Sequence, residues 1–482
     1  MNNNRPNFQR VGVIDLPPSN TTVEADFARP SAPGVIDVAA FIDEQPIGRF
    51  QIRLLLTCSA VLFLDGFDTQ GIGYVAPDLA HDWNLARGAL GPVFSSGLLG
   101  NMIGALLFGA IADRIGRKHI IVLSTVAFGL GTLATVFAQD ITSLLVIRFL
   151  TGLGLGGALP NTIALISEFS PHRRRATMVM AMFVGFSVGS ALSGLIAAAL
   201  IPTFGWRSVF LIGGIAPFLL APFLAARLPE SVRFLALSGQ ADARVAGLLT
   251  RVAPSVRFPS AMRFVVREAT RMGRPIAYLF SEGRALATLV LWAVFFMSLL
   301  DLYLLLNWLP TVLNDLGASV TAAAAVGATL QVGGIVGTLT LGQFIDRFSF
   351  RALALAFLFA AIAIAIVGFS GHSIAFAIFA ISCAGFFLVG GHIAAIALAA
   401  TYYPTMARST GVGWAIGIGR VGSIVGPLIG GIMLARGVAP QSLFMAAAVP
   451  ALVASFAALV LARMAPRTSA TISSAQAVSA QR

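Results

Sequence analysis

Apolar runs about 20 residues long, the length that crosses a bilayer's hydrocarbon core as a helix, follow one another along almost the whole chain. Short polar connectors separate them. They predict twelve membrane helices near 53–78, 89–112, 119–138, 142–167, 176–201, 207–227, 285–313, 321–345, 352–370, 373–400, 409–435 and 441–463. The runs are continuous rather than alternating, which argues against a β-barrel. Many are rich in Gly and Ala, as close helix packing in lipid requires. The fold class is therefore an all-α polytopic membrane protein.

The connectors are not alike. Arg114-Ile-Gly-Arg117-Lys118, His172-Arg173-Arg174-Arg175, the Arg-rich stretch 227–284 and Arg347 to Arg351 fall on one side. Ala138-Gln-Asp140 and Phe369-Ser-Gly-His372, on the other side, carry little positive charge. The positive-inside rule then puts both termini and the long central loop in the cytoplasm. The expected organisation is a cytoplasmic arm over 1–48, six-helix bundles over 49–228 and 284–464, a cytoplasmic loop over 229–283 and a cytoplasmic tail over 465–482. The arm is polar, lacks a signal-peptide apolar core and is expected to be largely disordered.

The two halves repeat each other. Gly109-x-x-x-Asp113-Arg114 recurs as Gly342-x-x-x-Asp346-Arg347, a spacing of 233 residues from position 113 to 346. Pro171-x-x-x-Arg175-Ala-Thr177 recurs at the same spacing as Pro404-x-x-x-Arg408-Ser-Thr410, and Asp68 maps onto Asp301. Two pseudo-symmetric six-helix bundles in parallel repeat are the pattern of one large transporter class.

Composition narrows the function classes. Of 482 residues, 57% are hydrophobic and 11% charged, where a soluble domain carries about 25% charged. The net charge of +12 sits in the connectors and does not imply nucleic-acid binding. Cys58 and Cys383, the two cysteines, lie inside apolar stretches, so neither a disulfide framework nor a metal site is expected. No Ser/His/Asp, metal-ligand or nucleotide-binding constellation occurs. The chain does not read as an enzyme, and no cofactor is implied.

Ionisable residues inside apolar runs are costly and mark function by default. Asp65 and Asp68 stand three apart on one helical face, and desolvation suits such carboxylates to carrying protons. With Asp301 they form the candidate proton-coupling set. Arg148 either pairs with Asp65 or Asp68, if helices 1 and 4 meet, or snorkels to the interface. Arg420 lies mid-span on a stripe with Gly413 and Gly417, with room for a planar guanidinium to take a carboxylate in bidentate fashion; the alternative is a structural pairing with Asp301 or Glu168. His392 is either a proton-sensitive ligand contact or a satisfied neutral histidine. Asn307, Tyr303 and Gln331 complete the candidate substrate contacts. Trp308, Trp414, Phe94 and Asn161 could line an aromatic-friendly pocket, the tryptophans equally serving as interface anchors. Gly109, Asp113, Arg114, Arg117, Glu168, Arg175, Asp346, Arg347 and Arg408 are candidate gating residues, with Asp113 able to latch one conformation through an Arg or a helix N-terminus.

These residues resemble the major facilitator superfamily. Gly109-Ala-Ile-Ala-Asp113-Arg114-Ile-Gly116-Arg117-Lys118 matches its loop between helices 2 and 3, and Arg148-x-x-x-Gly152 and Pro229-Glu230-Ser231-x-Arg233 fit as well. More narrowly, the chain resembles the aromatic acid/proton symporters of bacteria, which carry benzoate-like and hydroxybenzoate-like anions. Asp65-Gly-Phe-Asp68-Thr69, Asn307-Trp308-Leu-Pro310-Thr311, Tyr403-Pro404-Thr-x-x-Arg408 and Gly417-Ile-Gly-Arg420-x-Gly carry that likeness. The resemblance implies proton-coupled import of an aromatic carboxylate by alternating access, in the bacterial inner membrane, by a monomer whose partners are the acid, protons and lipid. Competing readings are an exporter or a symporter of another organic acid or metabolite, and a transport-derived receptor. Helix 5 lacks the Gly-Pro step of the antiporters, which favours symport.

Overall fold

The computed structural model describes residues 35–86, 88–238, 242–259, 262–266, 275–281, 283–369, 373–403 and 408–464; the side chains of Asp346 and Arg408 fall outside that description. The chain opens with β1 (Val35–Asp37) and α1 (Val38–Glu44). Six long helices follow: α2 (Arg49–Asp82), α3 (Gly91–Ile115), α4 (Arg117–Thr135), α5 (Ile141–Glu168), α6 (His172–Phe204) and α7 (Arg207–Arg227). The connection between bundles holds α8 (Val232–Leu237), α9 (Asp242–Val252), β2 (Arg263–Val265) and α10 (Pro275–Leu279). The second bundle comprises α11 (Ala285–Asp315), α12 (Val320–Phe348), α13 (Phe350–Val367), α14 (Ile374–Tyr402), α15 (Arg408–Ala435) and α16 (Pro440–Met464). Twelve of these are long and apolar enough to span a membrane. Large apolar side chains such as Leu106, Leu219 and Phe456 point outward from them, as a lipid-facing surface requires.

Local chemistry sets the breaks between helices. Asp140 caps α5 by accepting the Ser143 N–H at 2.7 Å, and Ser319 and Ser373 cap α12 and α14 in the same manner. Gly116, at φ 98°, makes the tight turn between α3 and α4.

The repeat governs packing as well as sequence. Helices α4, α5 and α7 begin at 117, 141 and 207, and α13, α14 and α16 begin 233 residues later, at 350, 374 and 440. Within the first bundle α3 packs on α5, α2 on α6 and α4 on α7; α12 on α14, α11 on α15 and α13 on α16 repeat those pairs. A Cβ on Gly152 would collide with the Gly97 carbonyl, and one on its mate Gly385 with the Leu330 carbonyl. Positions 97 and 330 are themselves repeat mates, so the close backbone approach is preserved in both halves.

The bundles meet through α3 with α15, α6 with α12, and α2 with α11. We call the end bearing the Arg-rich connectors the basic end. The halves are closed on each other toward the opposite end. There the Phe94 and Trp308 rings pack edge-on at 5.1 Å, and the Ser95 hydroxyl donates to the Ile424 carbonyl at 2.8 Å. A Cβ on Gly88 would strike the Gly431 carbonyl. Toward the basic end, Gly413 and Gly417 on α15 face open space.

Residues 35–48 depart from expectation. Their polar composition predicts part of a largely disordered arm, yet β1 pairs in parallel with β2, Val35 opposite Arg263 and Asp37 opposite Val265. Val38 and Ile42 of α1 join Val245, Leu249, Phe264 and the bundle residues Leu54 and Phe169 in one apolar cluster. The Asp43 carboxylate also accepts the His172 N–H at 2.7 Å. Enough apolar surface is buried to order this stretch, which composition alone does not reveal. Residues 1–34 and 465–482 lie outside the described residues.

Candidate functional site

Asp65 and Asp68 are both buried on α2, and they serve different partners. Asp68 turns into its own bundle. Arg148 on α5 donates from Nη2 to Asp68 Oδ1 at 3.3 Å and from Nη1 to Oδ2 at 3.4 Å. Thr132 on α4 donates its hydroxyl to Asp68 Oδ1. Arg148 also donates to Thr135 at 3.0 Å and lies over the Phe210 ring at 5.1 Å. A buried ion pair survives only when further hydrogen bonds and good geometry offset its desolvation, and the α4 threonines and Phe210 provide these. Of the two alternatives for Arg148, pairing holds and snorkelling does not.

Asp65 faces the second bundle. Its Oδ1 accepts from the Thr69 hydroxyl at 3.0 Å, and the charge within its electrostatic reach across the interface is Arg420. Tyr303 on α11 shares that neighbourhood. Arg420 does not pair with Asp301 or Glu168. It donates instead to Asn101 Oδ1 on α3 of the other bundle. A neutral amide thus holds this guanidinium, leaving further donors for an incoming anion.

Asp301 has no partner among the described residues. It is fully buried and neither carboxylate oxygen has a hydrogen bond. The repeat gives the reason: the positions matching Arg148, Thr132 and Thr135 are Ile381, Ala365 and Gly368. The second bundle keeps the carboxylate and lacks the groups that satisfy it.

His392 is buried in the wall of the second bundle, 3.0 Å from the Ser298 hydroxyl through Nδ1 and edge-on to Phe295. Gln331 is buried on α12. Asn307 donates to the Tyr303 carbonyl at 2.7 Å, and Asn161 donates to Gly157 within its own helix. Trp308 donates to the Pro427 carbonyl at 2.9 Å, while Trp414 is half-exposed and stacked on Trp292. Between the bundles lies a cavity of about 30 Å³ bordered by Asp68, Arg148, Asn101, Asn307 and Phe94. That is room for one or two waters, less than an aromatic ring needs.

A second polar cluster sits at the basic end. Arg117 pairs with Glu168, whose Oε2 accepts from the Ser231 hydroxyl at 2.7 Å. Glu230 accepts the Lys118 and Ser231 N–H groups at 3.1 and 2.8 Å, and His119 Nδ1 is 3.2 Å from it. Asp113, 4.0 Å from Arg117, is 76% exposed and engages no group of the second bundle among the described residues. Arg114 is exposed and Arg175 half-buried. Arg347 is exposed beside the Phe348 ring at 5.3 Å. Gly109 and Gly342 face open space.

Sequence reasoning missed Asn101, Thr132 and Thr135. Thr132 and Thr135 stand three apart on one face of an apolar helix, and Asn101 is a lone amide inside another. Both patterns were visible, though neither carries a charge to attract notice.

A family model described as Major Facilitator Superfamily matches residues 58–293 and again 291–481, once for each bundle. The chain belongs to the major facilitator superfamily. Within it, the chain is 41% identical to the 4-hydroxybenzoate transporter PcaK of Pseudomonas aeruginosa, over 89% of this chain and 97% of that protein. It is likewise 41% identical to the gallate transporter of Pseudomonas putida, over 89% and 96%. The benzoate transport protein of Acinetobacter baylyi is 32% identical over 86% and 90%. Among solved structures, an inward-facing, occupied bacterial homologue of the human lysosomal transporter Spinster superposes with a TM-score of 0.68 at 18% identity, covering 87% of this chain and 98% of that one. That likeness concerns the fold. This superfamily member is a multi-pass membrane transporter and not an enzyme.

Proposed function

We propose that this transporter imports an aromatic carboxylate of the benzoate or hydroxybenzoate class together with protons, across a bacterial inner membrane. The basic end is cytoplasmic by the positive-inside rule, so the conformation described is open inward and closed outward. The transporter works as a monomer, both termini cytoplasmic, the bundles rocking about the Asp65–Arg420 level.

One observation carries the reading. Arg420 is held across the interface by a neutral amide while Asp65, a carboxylate of the other bundle, lies within its field. A substrate carboxylate that takes the free donors of Arg420 neutralises the charge that favours ionised Asp65. Asp65 then takes a proton. Anion binding and protonation favour each other by linkage, which is what symport needs. Asp68 stays paired with Arg148 in this state. Its release from Arg148 in the outward-open state, together with the buried carboxyl of Asp301, supplies further proton positions. The relatives' names support the substrate class.

Reconstituted vesicles test this. Labelled 4-hydroxybenzoate accumulates above equilibrium when the exterior is more acidic than the lumen, and a protonophore abolishes the accumulation. Accumulation that survives the protonophore would rule out proton coupling. Saturable binding with no flux would make the protein a receptor.

A further inference from the structure

We propose that a cavity at the basic end binds the headgroup of an anionic phospholipid from the adjoining leaflet. The cavity, about 780 Å³, lies among α2, α7 and α9 and is bordered by Arg49, Arg53, Arg227 and Arg251. Four arginines from three elements thus border one space. All four are exposed, and no carboxylate stands within ion-pair distance of any of them among the described residues. Converged like charges repel, and an anion of one or more phosphates relieves that repulsion.

The apolar side of the cavity decides which phosphate. On α2, Arg49, Arg53 and Leu56 follow at i, i+4 and i+7, so they share one face. Moving inward along it, the face passes from two arginines to a leucine that is 64% exposed. On α7, Phe223 precedes Arg227 by one turn, is 47% exposed and lines the same cavity. Both helices therefore present charge at the membrane boundary and an open apolar side chain one turn deeper. A phospholipid has that same order, headgroup then chain. A free phosphate has no use for Leu56 and Phe223.

Orientation in the membrane does not account for the cluster. At the repeat spacing, the mates of Arg49, Arg53 and Arg227 are Glu282, Leu286 and Val460, so the second bundle lacks it altogether. A charge bias that only set topology would have no reason to converge on one cavity of one bundle. Basic pockets between helices on the cytoplasmic side are recognised headgroup sites.

Native mass spectrometry of the full chain, titrated with phosphatidylglycerol or phosphatidylcholine, tests the proposal. One phosphatidylglycerol should bind saturably, and phosphatidylcholine should bind far more weakly. R53Q/R251Q should weaken phosphatidylglycerol about 30-fold, two arginines at about 1 kcal/mol each, whereas R53K/R251K keeps most of the affinity. R49Q/R227Q probes the same cavity from its other two arginines. R173Q/R174Q, also at the basic end and outside the cavity, should bind like the wild type. Equal binding of the two lipids overturns the proposal. So does equal weakening by R173Q/R174Q, which would mean diffuse attraction. Displacement of the lipid by millimolar inorganic phosphate would make it a free-anion site, and overturns it too.

Discussion

Asp65 and Asp68 are one turn apart, and the division of labour between them comes from which bundle each one faces. Asp68→Asn keeps the shape and a polar contact to Arg148 but removes one exchangeable proton position. Vesicles carrying it should lose gradient-driven accumulation of 4-hydroxybenzoate and still exchange labelled for unlabelled substrate; wild-type accumulation would remove Asp68 from coupling. Arg420→Lys keeps the charge and loses the planar fork, so binding of the acid should weaken by about 1–3 kcal/mol, the value of a charge-assisted hydrogen bond. Calorimetric titration reads this, and unchanged affinity would make Arg420 structural. That these four charges stand inside membrane helices was legible in the sequence, and charge in an apolar run is expensive. Their partners were not. Sequence left Arg148 with two destinations and gave Arg420 two carboxylates, and the actual partner of Arg420, Asn101, is 319 positions away.

At the level of elements, hydropathy alone located all twelve spans to within several residues, because a helix in lipid has no other way to satisfy its backbone. The β1–β2 pairing was beyond reach. Each strand has three residues, and the two are separated by both the first bundle and α9. The connection that holds α8 is tied to α4 and α5 by Arg117, Glu168, Glu230 and Ser231. Removing the carboxylate at its centre leaves Arg117, 15% exposed, with only the exposed Asp113 at 4.0 Å. Glu168→Ala should therefore destabilise the first bundle by about 3–5 kcal/mol, the cost of breaking a largely buried pair. A lowered thermal midpoint in detergent checks this, and an unchanged midpoint would show that Ser231 and water compensate.

For the whole molecule, closure at the end opposite the basic connectors depends on backbone meeting backbone. A Cβ on Gly431 would stand 2.9 Å from the Gly88 carbonyl and 3.1 Å from the Gly91 Cα, tighter than such contacts tolerate. Gly431→Trp should hold the bundles apart there. A Ser95→Cys reporter in that background should react faster with a membrane-impermeant thiol reagent added from the side opposite the basic connectors; unchanged reactivity would place the closure elsewhere. Alternating access in this account moves a proton with each carboxylate. The direct measurement is made in lightly buffered vesicles with no imposed gradient, with protein-free vesicles subtracted for passive entry of the neutral acid. On addition of 4-hydroxybenzoate the external medium should become more alkaline as the substrate enters, and Asp65→Asn vesicles should not show it. Substrate entry with no pH change, or with acidification outside, would contradict symport.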